Sequence, residues 1–283
     1  MEYTFFLIFL RYFKLIPSKC ALNQLKLAFL IFGYWFGVRK KVVHRQLQLI
    51  FPDKDSREIR QLVKEIFYEL AVTTAETFVF DDTYFIDKSE VIGIDNINKA
   101  LDYGRGVIIM SAHFGSWELA VKTLAKNYKN VYGVVKDQKN PYFNNYINKK
   151  RTETGMEVIE MKNALKHVIL ALQKNYIVVL AVDQYAFKQG VEIDFLGHQT
   201  KSYTSVAQIA IKYKTPVISA FTIREKNGNH RTIFHEPKVY DNIPYTSEEI
   251  VKLTKLLNQD IEKYILTYPN LWFWVHKKWR QVL

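Results

Sequence analysis

The sequence has a single cysteine, Cys20, among its 283 residues, and it lacks several common signatures of chemistry. One thiol excludes an internal disulfide framework and a zinc site built from cysteines. There is no phosphate-binding P-loop and no dinucleotide-binding fingerprint, so nothing favours nucleotide chemistry. The histidines outside the motif described below lack the spacing of metal ligands, so no bound metal is expected. Surface or structural roles are predicted for His44, His167, His198, His230, His235 and His276.

Acidic residues are scarce relative to basic ones. The chain has 40 Lys and Arg against 28 Asp and Glu, a formal net charge of +12 at pH 7. Such an excess predicts an anionic partner, which composition alone leaves open between nucleic acid, a phospholipid surface and an acidic protein. Hydrophobic residues make up 48% of the chain, which excludes a disordered protein and suffices for a sizeable core.

Long apolar runs are also absent. The apolar segments at residues 4–10 and 27–38 are shorter than the roughly 20 residues that a membrane-spanning helix needs, and no small-residue cleavage site suggests a signal peptide. The first 48 residues hold eight basic residues and one acidic residue, interleaved with aromatics. This combination is typical of helices that lie in a membrane interface. Residues 1–88 are therefore predicted to form a helical membrane-interface arm, with a pair of core helices as the alternative.

The rest of the chain alternates between β-rich runs and amphipathic segments. Helical spacing of apolar residues predicts a helix over 56–80, with Asp55 or Ser56 as its N-cap, and a turn at 81–84. The predicted strands are 107–111, 131–135, 177–182, 216–223 and 230–234. The predicted helices are 117–126, 142–154, 163–173, 205–213 and 247–267. This alternation predicts an α/β domain over residues 89–283, with a central, mostly parallel or mixed sheet flanked by helices.

The segment Gly106-Val-Ile-Ile-Met-Ser-Ala-His113-Phe-Gly-Ser-Trp-Glu118 carries the candidate catalytic residues. A buried strand ends near His113, a tight turn follows, and a helix opens with Ser116 as its expected N-cap. Glu118 falls in the first helical turn, where a short loop brings its carboxylate back toward the imidazole. The two side chains then make the base and the orienting carboxylate of a catalytic triad, with a substrate hydroxyl in place of the serine. A structural histidine at a strand end is the alternative.

The spacing of His113 and Glu118 resembles the His-x4-Asp/Glu signature of the glycerolipid acyltransferases. The fuller string His-Phe-Gly-Ser-Trp-Glu is similar to the form in the late (lauroyl/myristoyl) acyltransferases of lipid A biosynthesis. Further blocks resemble that family in order along residues 46–280. They are Gln48-Leu-Ile-Phe-Pro-Asp, the pair Asp183-Gln184, Val191-Glu-Ile-Asp-Phe-Leu-Gly197, and Tyr268-Pro-Asn-Leu-Trp-Phe-Trp-Val-His-Lys-Lys-Trp-Arg280. The resemblance implies a glycerolipid acyltransferase-like fold.

The resemblance also implies roles for individual residues. His113 and Glu118 fall on the catalytic pair of the family. Asp183 and its neighbour Gln184 are implied to support the site, and a helix or turn cap is the alternative for Asp183.

Basic residues are implied to bind the phosphate of the lipid substrate. A family arginine falls on Arg151, with Lys150 and Lys149 as close competitors. Lys136 stands where relatives often carry arginine. A solvated face of a basic helix is the alternative for Arg151.

The resemblance implies transfer of a fatty acyl chain from a thioester to a hydroxyl of a lipid A precursor, with His113 as the base and no cofactor. The donor is acyl carrier protein, which is acidic, or coenzyme A. The implied location is the cytoplasmic face of the inner membrane, against its anionic surface. The alternatives are the same chemistry on an amino-acid lipid or lysophospholipid, and a membrane-binding relative that has lost catalysis. No nucleic-acid partner is expected, since only charge and aromatic content favour one.

Overall fold

A computed structural model describes residues 2–80, 89–162, 164–188 and 190–280. The turn predicted at 81–84 and the predicted domain boundary at residue 88 lie outside the described residues. The helices, numbered along the chain, are α1 (Glu2–Leu15), α2 (Ser18–Phe29), α3 (Lys40–Ile50), α4 (Ser56–Thr74), α5 (Asn96–Leu101), α6 (Trp117–Asn127), α7 (Pro141–Glu153), α8 (Ala164–Gln173), α9 (Ser205–Tyr213) and α10 (Ser247–Thr267). Segments of π-helix, Leu30–Trp35 and Ala75–Val79, continue α2 and α4.

The strands form one large sheet and one hairpin. They are β1 (Ser89–Ile92), β2 (Val107–Ser111), β3 (Val131–Val135), β4 (Met156–Glu160), β5 (Ile177–Ala181), β6 (Val191–Phe195), β7 (His198–Ser202), β8 (Val217–Arg224) and β9 (His230–Phe234). Seven of them make a sheet in the order β1-β9-β8-β2-β5-β3-β4, while β6 and β7 pair separately. Neighbours in the sheet are parallel except β8 and β9. The predicted fold class is confirmed.

The strands that the sequence predicted are the more buried ones: β2, β5 and β8 are buried almost throughout, and β3 and β9 combine buried with half-buried residues. All five have counterparts whose ends differ by at most one residue. In β2, every residue is buried, which leaves a continuous apolar run in the sequence. The strands not predicted, β1, β4, β6 and β7, are short and carry exposed or polar residues, so their sequences lack that run.

The register of the sheet decides which side chains meet at its carboxyl edge. Strands β2 and β5 are parallel neighbours, and Ser111 pairs with Ala181. Two residues further along each chain stand His113 and Asp183, which therefore leave the sheet side by side. Ligands of open α/β sheets bind at this edge.

The N-terminal helices pack in two separate hydrophobic clusters. Side chains of α3 and α4 pack in the same hydrophobic core as the sheet, α9 and α10. Residues of α1 and α2 form a smaller cluster with the end of α4. As predicted, Asp55 is the N-cap of α4: its carboxylate accepts from the backbone N–H of Arg57 and Glu58, and Glu58 accepts from the N–H of Asp55, a capping box.

The surface of the N-terminal helices carries many large apolar side chains. Trp35 and Phe36 are 77% and 75% exposed, and others of this kind are Phe5, Ile8, Leu15, Leu27, Phe32 and Val38. No single helix within the described ranges has both the length and the apolar composition to cross a membrane. Ser18–Trp35 and Lys40–Ile50 meet those two criteria only as a pair, and the pair is bent by 79°.

Candidate active site

His113 and Asp183 form the centre of the site. The Nδ1 atom of His113 lies 2.9 Å from Oδ1 of Asp183, and the indole N–H of Trp272 donates to the other carboxylate oxygen at 2.9 Å. Asp183 is 1% exposed. Burial alone would raise the pKa of this carboxyl group, but His113 and Trp272 lower it to about 2. Asp183 is thus ionised, each of its carboxylate oxygens makes one hydrogen bond, and it fixes the orientation of the imidazole.

The predicted hydrogen bond between Glu118 and His113 is wrong. Glu118 instead accepts from Arg151, at 3.2 Å from Nε and 2.5 Å from Nη2. The reason is topological: Asp183 leaves the strand beside His113 at the same edge, whereas Glu118, in the first turn of α6, faces the last turn of α7. Burial would raise the pKa of Glu118, but the Arg151 charge and hydrogen bonds lower it, so this carboxylate is also ionised.

The protonation of His113 depends on two opposing effects. Burial lowers the pKa of the imidazole, but the charge and hydrogen bond of Asp183 raise it by more, so that the pKa lies above its ordinary value of 6.5. With Nδ1 held by Asp183, Nε2 is the atom available as a base. The amide nitrogen of Gln184 lies 3.4 and 3.5 Å from the two ring nitrogens, so Gln184 covers one face of the ring.

A buried ionic network supports the turn that follows His113. Ser116 was the expected N-cap of α6, but its side chain makes no cap hydrogen bond; it donates to Glu76 instead. Glu76 also accepts from Arg224, at 2.9 Å from Nε and 2.5 Å from Nη2, and pairs with Nε2 of His230 at 2.9 Å. Gly115 has φ +53°, and a Cβ there would collide with the carbonyl of Thr222. The turn is therefore held in place by the π-helical segment that continues α4 and by strands β8 and β9.

Replacing Glu76 by alanine is expected to lower the free energy of unfolding by about 3–5 kcal/mol, because the buried Arg224 loses a close partner. Burial would raise the pKa of Glu76, but Arg224 and His230 lower it from 4.5 to about 2. The contribution of ionised Glu76 to the free energy of unfolding is therefore complete above pH 4.5 and is lost as the pH falls to about 2. Urea denaturation at pH 7 measures the loss. Glu236→Ala, which removes an exposed partner of Lys99, is the control and should cost at most about 1 kcal/mol.

A cleft of about 600 Å³ opens from His113 between the sheet and α6. Its inner wall is apolar and includes Ile109, Ala120, Val121, Leu124, Gly133, Val135, Met156 and Val179. Its polar end is formed by His113, Glu118, Lys136, Arg151, Gln184, Tyr203 and His276. The arrangement suits a substrate with a long apolar part and a reactive polar end.

The basic residues expected to bind phosphate occupy different places in the structure. Arg151 and Lys136 both line the cleft. Lys150 lies outside it and is 3.7 Å from Glu153, while Lys149 is exposed to solvent. Within the described ranges, no three His, Cys, Asp or Glu side chains converge as a metal site would require.

Sequence reasoning missed several residues that shape the site, among them Gln46 and His276. Gln46, two residues before the block that begins at Gln48, is buried and donates to the carbonyls of Trp274 and His276 at 2.7 and 3.0 Å, whereas Gln48 is exposed. A polar residue on the apolar face of α3 was the available signal, since buried amides need hydrogen-bond partners. His276, expected at the surface or in a structural role, lines the cleft.

A lysine with an unusual environment follows the cleft residue His276 in the chain. Lys278 is fully buried, and its Nζ donates to the Ser202 hydroxyl at 2.9 Å. Burial lowers the pKa of Lys278 to about 7. Its charge therefore varies near neutral pH, two residues from His276 in the sequence.

The known proteins to which this chain is similar are lipid acyltransferases. The family model for bacterial lipid A biosynthesis acyltransferases matches residues 2–281. The chain is 23% identical over 267 residues to a lipid A biosynthesis lauroyltransferase of Escherichia coli, covering 92% of this chain and 83% of that protein. It is 22% identical to the palmitoleoyltransferase of the same organism, covering 86% and 79%. A phosphatidylinositol mannoside acyltransferase of Mycolicibacterium smegmatis is 25% identical over 197 residues, covering 68% and 63%.

Proposed function

Since this chain belongs to the bacterial lipid A biosynthesis acyltransferase family and is an acyltransferase, we propose that it moves a fatty acyl chain from a thioester to a hydroxyl of a lipid A precursor. The observation that carries this proposal is the pair of His113 and Asp183, 2.9 Å apart, at the polar end of an apolar cleft. The family match confirms the resemblance inferred from the sequence. The acceptor, the donor and the residue roles are the proposal.

The reaction needs a base at the acceptor and an acid at the leaving group. Nε2 of His113 takes the proton of the acceptor hydroxyl as its oxygen attacks the thioester carbonyl carbon, and Asp183 stabilises the imidazolium that forms. The carbonyl π electrons move to oxygen and return when the C–S bond breaks. The imidazolium then gives its proton to the departing thiolate. The ester product and the free thiol account for every atom, and His113 returns to its starting state.

Arg151 is proposed to bind an anionic group of the acceptor. Glu118 occupies its Nε and Nη2 atoms, and within the described residues no acceptor contacts Nη1. A guanidinium held in this way presents its remaining N–H groups in a fixed direction, which suits a phosphate oxygen. Glu118 therefore acts as the residue that positions Arg151, and Lys136 at the same polar end adds positive charge.

Acyl carrier protein is proposed as the donor because the mouth of the cleft is basic. Lys136 and Lys139 follow β3, Lys162 follows β4 and Lys188 follows β5, and all four are exposed. These loops lie together because β5, β3 and β4 are adjacent in the sheet. A cluster of this kind attracts an acidic protein and steers its approach.

The N-terminal helices are proposed to hold the protein at the cytoplasmic face of the inner membrane, with exposed apolar side chains in the lipid and basic residues on anionic headgroups. The double variant Trp35→Ser/Phe36→Ser should lose most of its binding to vesicles that contain about one-third anionic lipid, measured by flotation. Leu266→Ser, which removes a 54% exposed apolar side chain from α10, is the matched control and should bind as the wild type does. Equal binding by the double variant would contradict the proposal.

Mass spectrometry of lipid products tests the function. The protein is incubated with a tetra-acylated lipid A precursor and an acyl carrier protein thioester, and a mass gain of one acyl chain is expected. Replacing the donor by acyl coenzyme A distinguishes the two thioesters. No gain with either donor would contradict the proposal for this acceptor.

A different lipid acceptor is the second candidate. The observation that favours it is the similarity to a protein named phosphatidylinositol mannoside acyltransferase. The same chemistry at His113 serves any lipid hydroxyl, so a gain on a phosphatidylinositol mannoside or a lysophospholipid, with none on the lipid A precursor, would favour this candidate. Absence of turnover on all of these lipids, with vesicle binding intact, would indicate a relative that binds membranes without catalysis.

A further inference from the structure

His276 is held beside the catalytic loop by several backbone contacts. The N–H of Phe273 donates to the carbonyl of His113 at 3.0 Å, and the carbonyl of Leu271 accepts from the N–H of Gly115 at 2.8 Å. Gln46 binds the carbonyl of His276 itself. The segment 271–276 therefore follows the loop that carries His113, and its last residue lines the same cleft.

The hydrogen bond at one ring nitrogen fixes the tautomer of His276. The backbone N–H of Tyr185 donates to Nε2 at 3.1 Å, so Nε2 is unprotonated and Nδ1 carries the hydrogen of the neutral ring. Burial lowers the pKa of His276 to about 4, and the charges of Arg280 and Lys278 act in the same direction against that of Asp183. The ring is neutral at physiological pH, so it acts as a hydrogen-bond donor and not as an acid or base.

The Nδ1–H group of His276 has no hydrogen-bond acceptor among the described residues. Among the described residues, Tyr185 is the hydrogen-bond partner of the His276 ring, and it occupies the other nitrogen. A substrate that fills the cleft removes water from this wall, and a donor left without an acceptor then costs about 1–3 kcal/mol. An acceptor atom of the substrate at this wall would avoid that cost.

We propose that the Nδ1–H of His276 donates a hydrogen bond to the thioester carbonyl oxygen and to the oxyanion into which that oxygen turns when the acceptor attacks. A neutral, preorganised donor at the position where negative charge develops lowers the barrier more than it strengthens ground-state binding. No proton is transferred: the C=O electrons move to oxygen, the hydrogen bond shortens, and they return as the C–S bond breaks. The assignment rests on the proposed acyl transfer.

Two substitutions separate this role from a structural one. His276→Gln places an amide oxygen near the position of Nε2, where it accepts from Tyr185, but removes the donor at Nδ1. His276→Asn places an amide nitrogen near the position of Nδ1 and removes the acceptor for Tyr185. We expect His276→Gln to keep the melting temperature of the wild type and to lose about 10²–10³ in kcat with little change in KM for the thioester. His276→Asn should melt at a lower temperature yet retain more turnover than His276→Gln.

The same assay distinguishes the possible failures. Absence of turnover by the wild type would overturn the proposed function, and the assignment of His276 with it. Turnover by the wild type with unchanged kcat in His276→Gln would overturn the assignment alone. A higher KM for the acceptor with unchanged kcat would also overturn it, because the donor would then bind the acceptor lipid.

Discussion

Replacing His113 by asparagine is expected to reduce acyl transfer by a factor of about 10²–10⁴, because no other group takes the proton of the acceptor hydroxyl. Asparagine keeps an N–H near the position of Nδ1, so Asp183 retains a hydrogen-bond partner and the fold is preserved. His113→Ala is expected to lose activity to the same extent, and also stability, since it leaves the buried Asp183 charge without its imidazole. Single-turnover product formation, followed by mass spectrometry, measures the loss.

The melting temperature of each variant is the control for this experiment. His113→Asn should melt close to the wild type, so that its loss of activity reports the chemistry alone. Full activity in a folded His113→Asn variant would contradict the assignment of His113 as the base, whatever the behaviour of His113→Ala.

Replacing Asp183 by asparagine is expected to lower kcat/KM by a similar factor of about 10²–10⁴, because the amide neither fixes the tautomer of His113 nor stabilises its cation. The pH profile should change in a defined direction. In the wild type, Asp183 raises the pKa of His113 above 6.5, so activity falls as the pH drops through that raised value. In Asp183→Asn the largest effects that oppose burial are lost and only the charge of Glu118 still raises the pKa of His113, so the acidic limb of kcat/KM should move to lower pH.

Glu118→Gln is the matched comparison for Asp183→Asn. Both substitutions remove a carboxylate whose charge raises the pKa of His113, but only Asp183 is hydrogen-bonded to the ring. The acidic limb should therefore move less in Glu118→Gln, whose main effect should be a higher KM for the acceptor through the released Arg151. A larger shift in Glu118→Gln than in Asp183→Asn would restore the original assignment of Glu118 as the orienting carboxylate.

Local physical chemistry, readable from the sequence, determined the five buried strands, the main helices and the position of the reactive histidine. The strand that leads to His113, β2, begins with four apolar residues and is buried throughout, because a parallel sheet is covered on both faces. The capping box at Asp55 depends on residues three apart. The basic, aromatic composition of the first 48 residues predicts a membrane-interface arm, and large apolar side chains are exposed on the N-terminal helices.

Only the tertiary structure decided the partners within the site. Asp183 reaches His113 from 70 residues away because β2 and β5 are parallel neighbours, whereas the nearer Glu118 binds Arg151. Ser116 was expected to cap its own helix, but it donates to Glu76, which lies on a helix 40 residues earlier. His276 enters the cleft because the C-terminal segment hydrogen-bonds to the catalytic loop. Sequence spacing predicts contacts within a helix, strand or turn, but contacts between these elements depend on strand order and register, which come from packing the whole core.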